Sequence, residues 1–189
     1  VRKLTFTGST DVGRQLEQAC AQTLKRTSME LGGNAPFIVC KDADIDAAAE
    51  GLMVAKMRNL GEACTAANRI YVNEEVEAPF VKAFTKKMAA LRVGDPLDPA
   101  TDVGPLVNAE TRDKVDYFVR DAIEKGAKVK LGGQRPNGLG FFYPPTVMTS
   151  VPDNAKCLSD EIFGPVFSII KAENDIDAVR LANKSKFGL

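Results

Sequence analysis

The chain has 189 residues, and its 25 lysines and arginines balance its 25 aspartates and glutamates. It contains no histidine, which excludes Ser-His-Asp and Cys-His catalysis and HExxH zinc sites within it. The chain lacks the excess of basic residues that would indicate a nucleic-acid partner. Its longest apolar runs are too short to span a membrane. We expect a soluble chain, about one domain long, with a buried core and neither of those partners.

The four cysteines stand at positions 20, 40, 64 and 157, without a CxxC pair or a ligand-like spacing. We therefore expect no metal site, and a reducing compartment, the cytoplasm, fits best. Cys20 and Cys40 have apolar neighbours, as is typical of small buried thiols. Cys64 differs, because the small side chains of residues 61–67 would let a substrate approach its sulfur.

Strand-like and helix-like segments alternate along the chain, which predicts an α/β layered fold. A strand at 3–7 leads through a glycine turn into a helix with Val12, Leu16, Ala19, Cys20 and Thr23 at helical spacing. Strands follow near 27–31, 36–40, 68–72, 127–131, 145–149 and 165–171, and helices near 45–58, 75–90, 109–125 and 174–184. The helix at 109–125 should turn one apolar face to the core, made of Val115, Phe118, Val119, Ala122 and Ile123.

The turn at residues 8–13, Gly-Ser-Thr-Asp-Val-Gly, lies between the first strand and the first helix. Backbone N–H groups at a helix N-terminus favour a pyrophosphate, and glycines let it come close. The turn is not the usual GxGxxG, and a plain strand–helix connector explains the same residues.

Other polar residues also have an ordinary structural explanation. Glu30 could be a surface carboxylate at a strand end, and Arg58 could be an exposed arginine at a helix C-terminus, where the macrodipole favours it. Glu161 could be a solvated charge and Phe163 a core aromatic. Considered one at a time, these residues do not establish a function.

Three stretches taken together resemble the aldehyde dehydrogenase family: residues 29–33 (MELGG), 59–65 (NLGEACT) and 160–165 (DEIFGP). The order of the stretches and the interval from Glu30 to Cys64 match as well, and the similarity covers nearly the whole chain. Within the family it is greatest to succinate-semialdehyde dehydrogenases. The chain then resembles an excised piece of a longer protein.

The resemblance implies a three-layer αβα catalytic domain at residues 33–189, truncated at its C-terminus. Before it, residues 1–32 would be the C-terminal part of a Rossmann-like NAD(P)-binding domain. The parent protein would be a homodimer or homotetramer that oxidises a small-molecule aldehyde.

The resemblance also implies the roles of individual residues. Cys64 would be the nucleophile, and Glu30 the general base that activates water, with its pKa raised by burial. Arg58 would hold the far carboxylate of succinate semialdehyde. NAD or NADP would lie against Gly8, Ser9, Gly13, Leu31, Gly32, Glu161 and Phe163, with Glu161 on the nicotinamide ribose and Phe163 beside the ring.

Some features depart from the family or leave alternatives open. The family often has glutamine where Glu62 stands, so we expect that carboxylate to point outward or to be paired. The family's oxyanion asparagine would lie upstream, so the isolated chain should be inactive. The alternatives are another aldehyde substrate, a CoA-acylating enzyme, a non-catalytic relative and a plain nucleotide-binding module.

Overall fold

The structure is a computed structural model that describes residues 1–188 of the chain. Strands and helices are interspersed along the chain and the strands pair mainly in parallel, which confirms the α/β class. The strands are β1 (Lys3–Thr7), β2 (Arg26–Glu30), β3 (Ala35–Val39), β4 (Ala67–Asn73), β5 (Lys128–Leu131), β6 (Thr146–Thr149) and β7 (Val166–Ala172). The helices are α1 (Thr10–Ala21), α2 (Ile45–Met57), α3 (Glu77–Ala89), α4 (Ala109–Glu124) and α5 (Asp175–Ala182).

The strands form two separate sheets. Strands β1 and β2 make a parallel pair, and the other five follow the order β3-β4-β7-β6-β5. All neighbours in the larger sheet are parallel except β5 and β6. The chain passes from one sheet to the other at residues 31–34, where the boundary after residue 32 was expected. The division into two domains itself stays a prediction.

The larger sheet is covered on both faces, as the expected three-layer arrangement requires. Alternate residues of a strand point to opposite faces, and in β4 the side chains of Ile70 and Val72 join one apolar cluster while Tyr71 joins the other. Helices α2 and α3 complete the first cluster, and α4 and α5 the second. Because both faces are buried, β4 and β7 are apolar along most of their length.

The expected apolar faces of two helices are only partly buried. In α1, Cys20 is buried but Val12 is 43% exposed, because only the two-stranded sheet lies beside this helix. Thr23 falls beyond the end of α1. In α4 the expected face is buried except Ile123, which is 40% exposed at the edge of the stripe. Within residues 1–188, no helix is both long and apolar enough to cross a membrane.

Phe84 is the clearest test of the core under α3. Its side chain is fully buried, stacks on Phe80 at 5.9 Å between ring centroids, and meets Phe167 edge-on at 4.7 Å. We predict that Phe84→Ala lowers the free energy of unfolding by about 3–5 kcal/mol, as measured by denaturant titration of the protein that carries this chain. Leu97→Ala, at a side chain that is 89% exposed, should change it by less than about 0.5 kcal/mol. Equal losses for both variants would contradict this account of the core.

Candidate functional site

Most of the residues singled out from the sequence line one cleft of about 470 Å³. The cleft lies where the ends of β1 and β2 face the segment before β4 and the segment before β7. All of the candidate residues line it except Gly13 and Arg58. Its walls are formed by Thr7, Gly8, Ser9, Glu30, Leu31, Gly32, Glu62, Ala63, Cys64, Thr111, Lys114, Glu161 and Phe163.

The parallel pairing of β1 and β2 brings Gly8 and Glu30 to the same edge of the small sheet. Thr7 pairs with Glu30, and the Gly8 N–H donates to the Glu30 carbonyl at 3.0 Å. Ser9 caps α1, since its hydroxyl oxygen accepts from the Val12 N–H at 3.4 Å. The N-terminus of α1, with its positive dipole end, therefore lies beside the cleft. The Glu30 side chain is exposed in this chain, so its burial in the whole protein stays a prediction.

Gly13 lies behind the cleft wall. It is buried in α1, and a Cβ built there would come within 2.5 Å of Leu31 Cδ2. The missing side chain lets Leu31, which lines the cleft, pack directly on the helix. The structure therefore gives Gly13 a packing contact and does not bring it to the cleft surface.

Gly32 and Glu161 come together from distant parts of the chain. The Gly33 N–H donates to Glu161 Oε1 at 3.3 Å. A Cβ at Gly32 would collide with the same carboxylate, so only glycine allows this approach. Phe163 follows with a φ of 59°, a conformation that non-glycine residues seldom adopt. This part of the chain bends sharply at the cleft wall.

Buried polar residues that the sequence reasoning missed hold these two segments together. The side chain of Asn34 is fully buried, and its Nδ2 donates to the carbonyls of Leu158 at 3.1 Å and Asp160 at 3.4 Å. Arg69, only 2% exposed, donates through Nε to the Asn34 carbonyl at 2.8 Å and through Nη1 to the Ala182 carbonyl at 3.1 Å. In the sequence, these two residues could have been recognised as polar residues next to largely apolar strands, Asn34 just before β3 and Arg69 near the start of β4.

Cys64 reaches the cleft through an unusual turn. Asn59, Leu60 and Gly61 have φ values of 52°, 56° and 76°, so three consecutive residues are in the left-handed region, which costs energy for the two that carry a side chain. The Asn59 side chain supports the turn by donating to the Glu62 carbonyl at 2.9 Å. The turn reverses the chain after α2 and leaves Cys64 half-buried in the cleft wall.

Glu62 is paired, which confirms one of the two arrangements expected for it. Its Oε1 accepts from the Val107 N–H at 3.1 Å, just before α4 begins. Burial raises the pKa of the Glu62 carboxyl, and the hydrogen bond from Val107 opposes that shift. Thr111 and Lys114, one helical turn apart on α4, complete this side of the cleft. Neither residue was predicted from the sequence, which indicated only that α4 has an apolar face packed on the core.

The other three thiols lie elsewhere. Cys20 and Cys157 are buried, and Cys40 is half-buried at the end of β3. Burial raises the pKa of the Cys40 thiol, with nearby Asp175 adding to the shift, and burial likewise raises the pKa of the Cys157 thiol. Among residues 1–188, no three His, Cys, Asp or Glu side chains are grouped so that they could hold a metal ion.

Arg58 does not line the cleft. It follows the last residue of α2, is exposed, and donates through Nη2 to the Thr65 hydroxyl at 3.4 Å. The guanidinium is therefore next to the residue that follows Cys64 but outside the cleft wall.

The whole chain, residues 1–189, matches the model of the aldehyde dehydrogenase family. It is 51% identical to succinate-semialdehyde dehydrogenase of Paenarthrobacter nicotinovorans, an alignment that covers 100% of this chain and 42% of that protein. Identity to glutarate-semialdehyde dehydrogenase of Pseudomonas aeruginosa PAO1 is 46%, with 100% and 39% covered. A crystal structure of an Escherichia coli NADP dependent enzyme superimposes with a TM-score of 0.97 at 45% identity, again covering 100% and 39%.

The chain thus spans about two fifths of the length of these relatives. The family model covers every residue, and the fold agrees with a solved relative throughout the alignment. The chain belongs to the aldehyde dehydrogenase family.

Proposed function

We propose that the whole protein that contains this chain oxidises an aldehyde to a carboxylic acid with NAD or NADP, through a covalent thioester on Cys64. The observation that carries the proposal is the cleft itself, which collects a thiol, carboxylates and a helix N-terminus from four separate segments. A core-packing role would not require a half-buried cysteine beside an exposed carboxylate. For the isolated chain, which covers about two fifths of its relatives, we propose no activity.

The proposed reaction begins when the Cys64 thiolate attacks the aldehyde carbon and the carbonyl oxygen becomes an oxyanion. The Cys64 N–H is one donor that can stabilise this charge. When bound, a nicotinamide dinucleotide would supply the acceptor for the hydride on that carbon. The part of Cys64 is then to hold the oxidised acyl group as a thioester. Glu30 then takes a proton from water, the water oxygen attacks the thioester, and the C–S bond breaks to release the acid and the thiolate.

The residues around the cleft fit a nicotinamide dinucleotide. Gly8 and Ser9 present backbone at the N-terminus of α1, where a pyrophosphate is favoured. Leu31, Gly32 and the Glu161 carboxylate form the adjacent wall, and a carboxylate there can accept hydrogen bonds from ribose hydroxyls. Phe163 offers an aromatic face beside them. We assign Gly13 a supporting part, since it lets Leu31 pack on α1.

Succinate semialdehyde is the proposed substrate, because two of the relatives reported above are named for succinate semialdehyde and glutarate semialdehyde, which carry a carboxylate at the far end. Arg58 is the proposed partner of that carboxylate, since a guanidinium can grip it with two hydrogen bonds. Its present contact with Thr65 means that the side chain must swing toward the cleft to do so. We propose that the protein is cytoplasmic and a homodimer or homotetramer, with residues 1–32 belonging to its cofactor domain and residues 33–189 to its catalytic domain.

The activity itself is tested with the full-length protein, succinate semialdehyde, and either cofactor. We expect succinate and reduced cofactor in equal amounts, with no requirement for CoA, because Glu30 supplies a base for water. Formation of succinyl-CoA only when CoA is present would favour the acylating alternative. No reduced cofactor with any semialdehyde would refute the proposal.

Cys64 should be the most reactive of the four thiols, because burial raises the pKa of Cys40 and Cys157 and encloses Cys20. We predict that limiting iodoacetamide modifies Cys64 first in the full-length protein, as mapped by mass spectrometry after short exposure. Faster modification of any other cysteine would count against its assignment as the nucleophile.

Glu30→Gln should slow thioester hydrolysis much more than hydride transfer, because a base is needed only to activate water. We expect one rapid equivalent of reduced cofactor followed by steady turnover about 10²–10⁴-fold slower than in the parent, measured by stopped-flow and steady-state assays. Glu124→Gln, the same change at an exposed helical position, serves as the control. Unchanged steady turnover in Glu30→Gln would exclude Glu30 as the base.

Arg58→Ala should weaken binding of succinate semialdehyde while sparing an uncharged aldehyde of similar length. A charge-assisted hydrogen bond contributes about 1.5–3 kcal/mol, so KM for the semialdehyde should rise by about 10- to 100-fold. Arg2→Ala, at an exposed residue far along the chain from Cys64, should change neither value. If both aldehydes lose equally, Arg58 is a structural residue.

A further inference from the structure

Lys56 is a buried charged side chain for which the proposed reaction has no use. It lies in the last turn of α2 and has no solvent-exposed surface. Lysine is almost never fully buried unless it is paired, because removing an ammonium group from water is costly. A leucine or methionine would fill the same space at the back of the cleft wall without that cost.

The contacts of Lys56 lead directly to the turn that presents Cys64. Its Nζ donates to Asn68 Oδ1 at 2.5 Å, and Asn68 is itself only 1% exposed at the start of β4. A Cβ built at Gly61 would meet Lys56 Cε at 3.0 Å and the Gly164 carbonyl oxygen at 2.5 Å. The lysine stem therefore lies against the left-handed turn, residues 59–61, where that turn touches the chain after Phe163.

The charge of Lys56 is sensitive to pH near neutrality. Burial lowers the pKa of the Lys56 ammonium from its usual value near 10.5 to about 7, and the Glu161 carboxylate, the charged group that acts on it, opposes the shift. The cost of burial is thus only partly offset by a neighbouring charge. Because burying Lys56 costs free energy, its presence is better explained by a role in holding a neighbouring segment in place than by a contribution to stability.

We propose that Lys56 is a positioning residue, which ties the 59–61 turn to Asn68 and so holds Cys64 open to the cleft. The importance of this role for catalysis rests on the proposed function. The contacts of Lys56 with Asn68 and the turn are independent of that function. Lys56 touches neither the cleft nor a substrate, so it acts through the turn. Loss of its hydrogen bond should let the strained residues of the turn relax and the thiol withdraw.

The stability effect has a defined sign. Between about pH 7 and pH 10 the unfolded chain holds the Lys56 proton and the folded chain does not, so this group makes stability rise with pH across that window. Below about pH 7 the buried ammonium contributes its full destabilisation. Lys56→Met should therefore leave the thermal midpoint of the full-length protein equal or higher at low pH, and should flatten its rise toward pH 10.

The test is the rate of Cys64 alkylation by iodoacetamide in the full-length protein, which needs neither substrate nor cofactor. We expect Lys56→Met to slow alkylation by about 10- to 100-fold, because a withdrawn thiol reacts only while the turn is locally open, without lowering the thermal midpoint. Lys82→Met, at an exposed lysine on α3, is the matched control. A rate within about twofold of the parent, or a midpoint that falls together with the rate, would overturn the proposal.

Two substitutions of Asn68 keep the test decisive if Lys56→Met does not fold. Asn68→Leu removes the acceptor and should slow alkylation as Lys56→Met does. Asn68→Asp keeps an acceptor and should retain the parent rate of alkylation. Because an adjacent carboxylate raises the pKa of Lys56, the rise of stability with pH should begin at a higher pH in this variant. Equal rates in these two variants would overturn the proposal. A protein that oxidises no aldehyde would refute the proposed function and leave this result intact.

Discussion

The hydrogen bonds between the segment that joins the two sheets and the segment that precedes β7 hold the cleft together. The Gly33 N–H donates to the Glu161 carboxylate, while the Asn34 side chain donates to the Asp160 carbonyl. The segment before β7 thus accepts both hydrogen bonds, one at a side chain and one at a backbone carbonyl, and the two bonds hold the segments together. Arg69 reinforces the pair from β4, the strand that follows the Cys64 segment. The side chains of Asn34 and Arg69 are buried, and leaving their N–H groups without acceptors would cost free energy, so their bonds favour one arrangement of these segments.

The sequence was sufficient to predict the strands and helices and most of the residues that line the cleft. Parallel strands end at one edge, so residues placed at strand ends, such as Glu30 and Gly8, meet in space. It was insufficient for residues whose role depends on a contact made across the fold. Asn34, Arg69 and Lys56 look like ordinary polar residues until their burial is known. Thr111 and Lys114 lie at the cleft because α4 packs on the core beside it, with Glu62 accepting a hydrogen bond just before the helix begins.

Periodicity and motif do not report what lies opposite a side chain, as Gly13 and Glu30 illustrate. Gly13 belongs to a glycine turn but packs under Leu31, because the second glycine falls on the inner side of α1. Glu30 is exposed in this chain, which spans about two fifths of the length of its relatives, so its burial in the whole protein stays a prediction. The motifs shared with the family indicate the candidate residues, and the packing decides where each one lies.

The order of strands in the larger sheet has a consequence for how the molecule folds. β7 is the last strand in the chain, yet it lies between β4 and β6, so that Arg69 pairs with Ser168 across half the sequence. Non-local parallel pairing of this kind forms slowly, because a long loop must close before any contact rewards it. During synthesis β4 leaves the ribosome after β3 but long before β7. Until β7 is made, one edge of β4 has unpaired backbone N–H and C=O groups, because β3 covers only the other edge.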